Sequence, residues 1–193
     1  MNTNASELLT LVQGKLGGQI LSSNTNLNDV TLLIRRDQSL DCFRILKLDV
    51  DLQFNFLVDI TATDFLDSRP TRFEVVYHLL SLSKGYRLRI KIEVPEPTPE
   101  VDSLTSLWHS AIFMERETWD MYGIKFRGHP DLRRILMYPE FEGHPLRKDY
   151  PVQAKQPRVP LRAPEVTNTA RDMKRPPLFS INKRNTAQEN YAK

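Results

Sequence analysis

Cysteine is nearly absent: Cys42 stands alone among 193 residues. One thiol excludes an internal disulfide and any zinc or iron–sulfur site built from three or four thiolates. Glycine is also scarce, with seven in the chain. No G-x-G-x-x-G or Walker-type loop can be drawn through them, so the common nucleotide-binding turns are missing. No apolar run approaches the roughly 18 residues that a membrane span needs; Phe54-Asn55-Phe56-Leu57-Val58 is stopped at once by Asp59. The segment from Met1 to Gly14 lacks arginine, a basic start and an apolar stretch, so neither a secretory signal nor a transit peptide is expected. A reducing compartment fits the single thiol.

What remains is a chain that is 40% hydrophobic and 26% charged, with a net charge of +3, which is the composition of a soluble globular protein. That small net charge hides a division. From Arg147 to Lys193 there are eleven Lys and Arg against four Asp and Glu, whereas the preceding residues carry 16 against 20. Proline follows the same line, with eight of thirteen at or after Pro139. A stretch so rich in proline can form neither helix nor central strand, and its apolar residues are too scattered for a core. The reading is two parts: an α+β domain over 1–152, and an extended basic tail over 153–193. The tail is either solvated or laid along a partner that supplies its missing contacts.

Within the body, Ser6–Lys15 reads as a helix stopped by Gly17-Gly18, and Ser39–Leu48 as a second helix. Val30–Ile34 and Phe54–Thr63 read as strands. Phe73–Leu82 and Tyr86–Val94 read as a hairpin around Ser83-Lys84-Gly85. Arg87 to Glu93 alternates strictly, burying one face and wetting the other. The layout predicts a single domain with a mainly antiparallel sheet and helices packed on it.

The longest helical candidate runs from Ser103 to about Tyr122. At 100° per residue, Leu104, Ile112, Trp119 and Tyr122 fall within about 40° of Trp108, and Glu115 falls inside that aromatic stripe. A carboxylate there needs a cation or several donors. Two readings stay open: Glu115 grips an arginine in the chain or on a partner, or it belongs to an internal core ion pair. Arg116 can reach Asp120 one turn on, and Glu117 faces away. Two related corners follow, Gly128-His129-Pro130-Asp131-Leu132-Arg133-Arg134 and Gly143-His144-Pro145-Leu146-Arg147-Lys148-Asp149. Pro130 and Asp131 suit the first turn of a short helix ending near Leu136. His129 and His144 are assigned to turn geometry, because no Cys, Asp or Glu is spaced to complete a metal site. The tail lacks interleaved aromatics, so nucleic-acid binding is not expected.

Three segments carry a resemblance: Glu115-Arg116-Glu117-Thr118-Trp119-Asp120-Met121-Tyr122-Gly123-Ile124, Gly128-His129-Pro130-Asp131-Leu132-Arg133-Arg134-Ile135-Leu136, and Phe141 through Pro151. Together they resemble the signature of the thirty-kilodalton (C-type) subunit of respiratory complex I, the proton-pumping NADH:quinone oxidoreductase. Phe56–Thr61 and Arg72–Ser81 support it. The resemblance implies a subunit of the peripheral arm on the cytoplasmic face of the bacterial inner membrane, or the matrix side if organelle-encoded. It implies membrane association only through the complex. It also implies no flavin or cluster on this chain, with NADH, FMN, iron–sulfur clusters and quinone handled by other subunits. The implied neighbours are the large quinone-site (D-type) subunit, with the cluster-bearing (B-type and I-type) subunits nearby. On this reading Glu115, Arg116 and Asp120 fix the helix through an ion-pair network. Arg133, Arg134, Arg147 and Lys148, beside Asp149, meet other subunits or other segments. The alternative is the equivalent subunit of a membrane-bound hydrogenase or a ferredoxin-dependent photosynthetic complex. Two other classes remain, a free-standing enzyme using Glu115, Asp120 and His129, and a nucleic-acid binder.

Overall fold

Apolar residues alternate along four segments of the chain, and in the computed structural model these four become the body of one sheet. The structure describes residues 5–153 and 155–157. Its elements are α1 (Ala5–Leu16), β1 (Ile20–Asn26), β2 (Asp29–Ile34), α2 (Ser39–Leu48), β3 (Phe56–Asp64), β4 (Phe73–Leu80), β5 (Arg87–Val94), β6 (Glu100–Asp102), α3 (Ala111–Tyr122) and β7 (Lys125–Arg127). The main sheet has the order β1-β2-β5-β4-β3. Three of its four pairings are antiparallel, and β2 runs parallel to β5. The domain is therefore α+β with a mixed, mostly antiparallel sheet.

One face of the sheet supplies the core. Val30, Leu32 and Ile34 of β2, Leu88, Ile90 and Ile92 of β5, and Phe73, Val75, Tyr77 and Leu79 of β4 are buried against Leu8 and Val12 of α1 and Phe43 and Leu46 of α2. These are alternate positions, as the twofold pleat requires. Phe43 is central: its ring lies 4.8 Å from Tyr77 and 6.1 Å, edge-on, from Trp108.

Three differences from the sequence-based expectation have physical causes. Strand β1 carries no strand signature, because Ile20-Leu21-Ser22-Ser23-Asn24-Thr25-Asn26 has little β propensity or alternation. It forms as an edge strand through backbone pairing with β2, across a two-residue turn in which Leu27 and Asn28 both have positive φ. Second, α3 begins at Ala111 rather than Ser103: residues 105–110 form isolated turns, and Ser103 Oγ and the Leu104 amide fold back onto Glu115 of the helix itself. Third, no helix forms at 130–136; the amides that would continue one are taken by a side chain described below. Helix α3 links β6 to β7, which pair in parallel, and the Arg127–Asp102 ion pair at 2.8 Å closes that unit. Of the tail expected over 153–193, all but residues 153 and 155–157 lies outside the described residues.

Phe43→Ala should therefore unfold at lower urea, with a loss of roughly 3–5 kcal/mol from the transfer and cavity terms. A loss under about 1 kcal/mol would contradict the central place given to this ring.

Candidate functional site

Two carboxylates five residues apart on α3 meet opposite environments. Glu115 and Asp120 are both fully buried. Glu115 accepts from Ser103 Oγ at 2.7 Å and from the Leu104 amide at 2.6 Å. No arginine reaches it among the described residues, which corrects the reading of an ion pair within the chain. Burial outweighs the two donors and pushes its carboxyl up to about 7. Nearby in the core, Tyr77 Oη and Trp108 Nε1 have no hydrogen-bond partner among the described residues, and burial drives the Tyr77 hydroxyl well above its ordinary value, with Glu115 adding to the effect.

Asp120 has a complete set of donors. Oδ2 accepts the consecutive amides of Ile135, Leu136 and Met137 at 3.1, 2.9 and 2.9 Å, and Oδ1 accepts Arg134 Nη1 at 2.6 Å. Burial alone would raise this carboxyl, but the three amides and the guanidinium hold it below the usual carboxylate range. The pair expected between Arg116 and Asp120 does not form. Arg116 instead donates to the carbonyls of Arg133 and Arg134, both at 3.0 Å. Asp120 is claimed by Arg134, which also donates to the Phe141 and Gly143 carbonyls and lies over the rings of Trp119 and Phe141. Glu117 points to solvent, as expected.

Residues 128–150 thus form a strap tied to the body along its length. His129 Nε2 donates to the Ile112 carbonyl at 3.1 Å while Nδ1 accepts the Asp131 amide at 3.0 Å. Pro130 stands between them. His144 Nδ1 donates to the Asp120 carbonyl at 3.0 Å. Its imidazole is held below the ordinary value, first by burial and then by the nearby Arg147 and Arg134 charges. Arg147 donates to the Tyr122 carbonyl and lies over Phe73. The helix ends where this packing begins: Gly123 has φ +76°, and a Cβ there would sit 2.5 Å from the His144 ring and 2.6 Å from Arg147.

At its far end the strap meets a pair that no sequence motif announces. Arg72 makes a two-point bond to Asp64, Nε to Oδ1 and Nη2 to Oδ2, both at 3.0 Å, and also pairs with Glu96 and with Asp149, the latter at 2.8 Å. Asp64 Oδ2 accepts the Lys148 amide at 2.9 Å. These bonds keep Asp64 ionised below its usual range despite burial, and Arg72 pulls Asp149 down likewise. The available signal is the opposite charges flanking paired strands: Asp64 faces Phe73, the neighbour of Arg72, in the β3–β4 register. Beyond Pro151, Gln156 exchanges two 3.0 Å hydrogen bonds with the Glu142 backbone, so the described start of the tail is also fastened.

The residues expected to act in interfaces therefore divide. Arg134 and Arg147 are spent inside the chain, on segment-to-segment contacts. The side chains of Arg133 and Lys148 remain accessible, beside exposed Leu136 and Leu146. The polar atoms of Glu115, Asp120 and His129 are engaged separately, each by different partners. Among the described residues no three His, Cys, Asp or Glu stand close enough to hold a metal ion. No helix there is long and apolar enough to cross a membrane.

Fold and strap define a class: an α+β module presenting a preorganised surface of apolar side chains interspersed with charges of both signs, as components of larger assemblies do. Residues 32–156 match the model of the family described as respiratory-chain NADH dehydrogenase, 30 Kd subunit. A relative from Roseiflexus sp. (strain RS-1), named as the C-type subunit of NADH-quinone oxidoreductase, is 44% identical over 156 residues, covering 81% of this chain and 89% of its own. Among solved structures, the trypsin-resistant fragment of Nqo5 is 35% identical with a TM-score of 0.58, covering 67% of this chain and all of the fragment. An archaeal respiratory membrane complex, the membrane-bound sulfane sulfur reductase, contains a chain with TM-score 0.67 but 22% identity, over 78% of this chain and 88% of that one, a likeness of fold alone. The chain belongs to the family of the 30 kDa subunit of respiratory-chain NADH dehydrogenase, an oxidoreductase complex whose other subunits are its partners.

Two outcomes test the opposed carboxylates. Glu115→Gln can keep both contacts, Oε1 accepting the Leu104 amide and Nε2 donating to Ser103 Oγ, which reverses the second bond. Because the folded-state value lies above the usual 4.5, the contribution of Glu115 to stability is fully present below pH 4.5 and is lost as pH rises toward about 7. Urea unfolding should show the variant matching wild type near pH 4 and exceeding it by roughly 3 kcal/mol near pH 8; parallel profiles would contradict the buried carboxyl. Asp120→Asn should lose roughly 2–4 kcal/mol, since part-buried Arg134 loses its charge partner and one of the two oxygens that accept the strap's donors becomes an NH2. Limited proteolysis should then cut first within 128–150. Cleavage elsewhere first would contradict the strap's dependence on Asp120.

Proposed function

We propose that this chain is a structural subunit of the peripheral arm of a proton-translocating NADH:quinone oxidoreductase, carrying no cofactor and docking beside the quinone-site (D-type) subunit with the cluster-bearing (B-type and I-type) subunits nearby. It supports electron transfer from NADH to quinone by holding neighbours in place, while NADH, FMN, clusters and quinone are bound by those other subunits. Its proposed place is the cytoplasmic face of a bacterial inner membrane, joined to the membrane only through the complex.

The observation that carries this reading is the strap. Its part-buried Arg134 and Arg147 are consumed in fixing the backbone, and what it leaves outward includes Leu136, Leu146, Arg133 and Lys148, interspersed with Asp131, Glu140, Glu142 and Asp149. A preorganised surface of this kind loses little entropy on association, and apolar side chains with arginine are the composition enriched at interfaces. Family membership supplies the assembly.

Detergent-solubilised membranes purified through a tag on the full chain should yield a flavoprotein, cluster proteins and membrane subunits, with NADH:quinone activity in the same eluate. Leu136→Asp combined with Leu146→Asp should strip those partners while leaving the isolated chain's melting temperature within a few degrees. A lone 22.4 kDa species from the unmodified chain would overturn the proposal.

A further inference from the structure

The helices cover one face of the main sheet; the other carries no helix, and although Glu74 and Val76 are buried on it, its far end is exposed. Across it the register aligns Arg87, Leu80 and Phe56 in one row, and Thr31, Arg89, His78 and Asp59 in the next. An irregularity between Leu57 and Asp59 leaves Phe56 and Val58 both exposed, at 47% and 44%. Strand irregularities of this kind re-aim side chains beside binding sites. Between the rows lies a cleft of about 370 Å³ lined by Phe56, Val58, His78, Leu80, Arg87 and Arg89.

Two arginines with no carboxylate partner among the described residues stand side by side over this cleft, whereas Arg116 and Arg147, which also lack one, are committed to backbone carbonyls. Arg69, Arg72, Arg127 and Arg134 each have a carboxylate within ion-pair distance. Among the described residues Arg87 and Arg89 have none, and Arg89, half-buried, reaches only Thr31 Oγ1 at 3.5 Å. They stand two residues apart on one strand face, about 7 Å along the strand, above an apolar floor where a guanidinium binds carboxylate more strongly than in open water. Asp29 lines the same cleft, and Asp59 stands in the second row. Both would repel a second acid.

We propose that this cleft receives a segment of another subunit of the same complex, carrying one acidic side chain for Arg87 and Arg89 and, within two residues, a large apolar one for the floor of Phe56, Val58 and Leu80. The inference rests on the reading of the chain as a complex component and concerns a surface separate from the strap. A second copy of this chain fits poorly, because a two-fold contact would bring the arginine pairs toward each other.

The test places p-benzoylphenylalanine at Val58 of the full tagged chain in cells, with irradiation before purification and mapping of the linked peptide by mass spectrometry. The expected adduct joins another subunit at a segment with Asp or Glu within two residues of an apolar side chain. Arg87→Glu with Arg89→Glu should cut its yield at least roughly tenfold, and changing the partner's acid to Lys should restore it. A melting temperature of the isolated variant within a few degrees of wild type shows that it still folds. An adduct to a second copy, to a segment without an acid, or to a non-peptide ligand would overturn the proposal, as would a yield indifferent to charge reversal. No adduct while the other subunits still co-purify sinks this proposal alone. No adduct and no co-purifying subunit sinks the complex-component reading with it.

Discussion

The start of the strap that follows α3 and β7 depends on one buried carboxylate being fully satisfied. Without donors, Asp120 in the interior would favour its neutral form or unfolding. With three consecutive amides and a guanidinium it becomes a fixed point from which the strap is built outward. The amides of 135–137 cannot serve both Asp120 and a helix, which is why an apolar, proline-initiated segment with helical promise stays irregular. Arg134, bound on one side, uses its remaining donors to hold the Phe141 and Gly143 carbonyls. His144, Arg147 and the Asp64–Arg72 pair continue the series to Asp149. The order of the strap is thus a chain of charge-assisted hydrogen bonds, each positioning the next donor.

Glu115 shows what the same helix does without that supply. Two neutral donors are too few to hold a buried charge, so its carboxyl shifts to about 7, whereas Asp120, equally buried, shifts the other way. One ties α3 to the turn before it and the other ties α3 to the strap after it. The helix therefore works as a double-ended anchor, with Gly123 providing the left-handed turn and the empty volume that let His144 and Arg147 pack against its end.

How much of this can be read from the chain depends on where the information sits. Strict alternation in Arg87–Glu93 and the Ser83-Lys84-Gly85 turn locate β4 and β5, because pleat and turn chemistry are local. Strand β1 escapes, since its only driving force is backbone pairing to a neighbour. Glu115 stands out as anomalous from its helical position, but its partners do not: the donors come from Ser103 and Leu104, which a continuous helix from 103 would carry away from it. Arg116 and Asp120 match by spacing, yet spacing says nothing about Arg134 as a competitor further along the chain. The Arg72–Asp64 pair is invisible to motif reading because it joins two strand ends across a loop. The resemblance to a known family is legible at once, since it rests on side-chain identity, which survives even where local conformation is misjudged.

A protein that must present a surface to neighbours can either fold that surface in advance or order it on assembly. The hydrogen bonds of Asp120 and Asp64 place this strap in the first group. The most direct test is amide hydrogen exchange on the isolated full chain, read at Ile135, Leu136, Met137 and Lys148. These amides should be protected roughly a hundredfold or more over free-chain rates before any partner is present. Exchange at free-chain rates there, with protection gained only inside the assembled complex, would contradict a preformed strap and make its order a product of assembly.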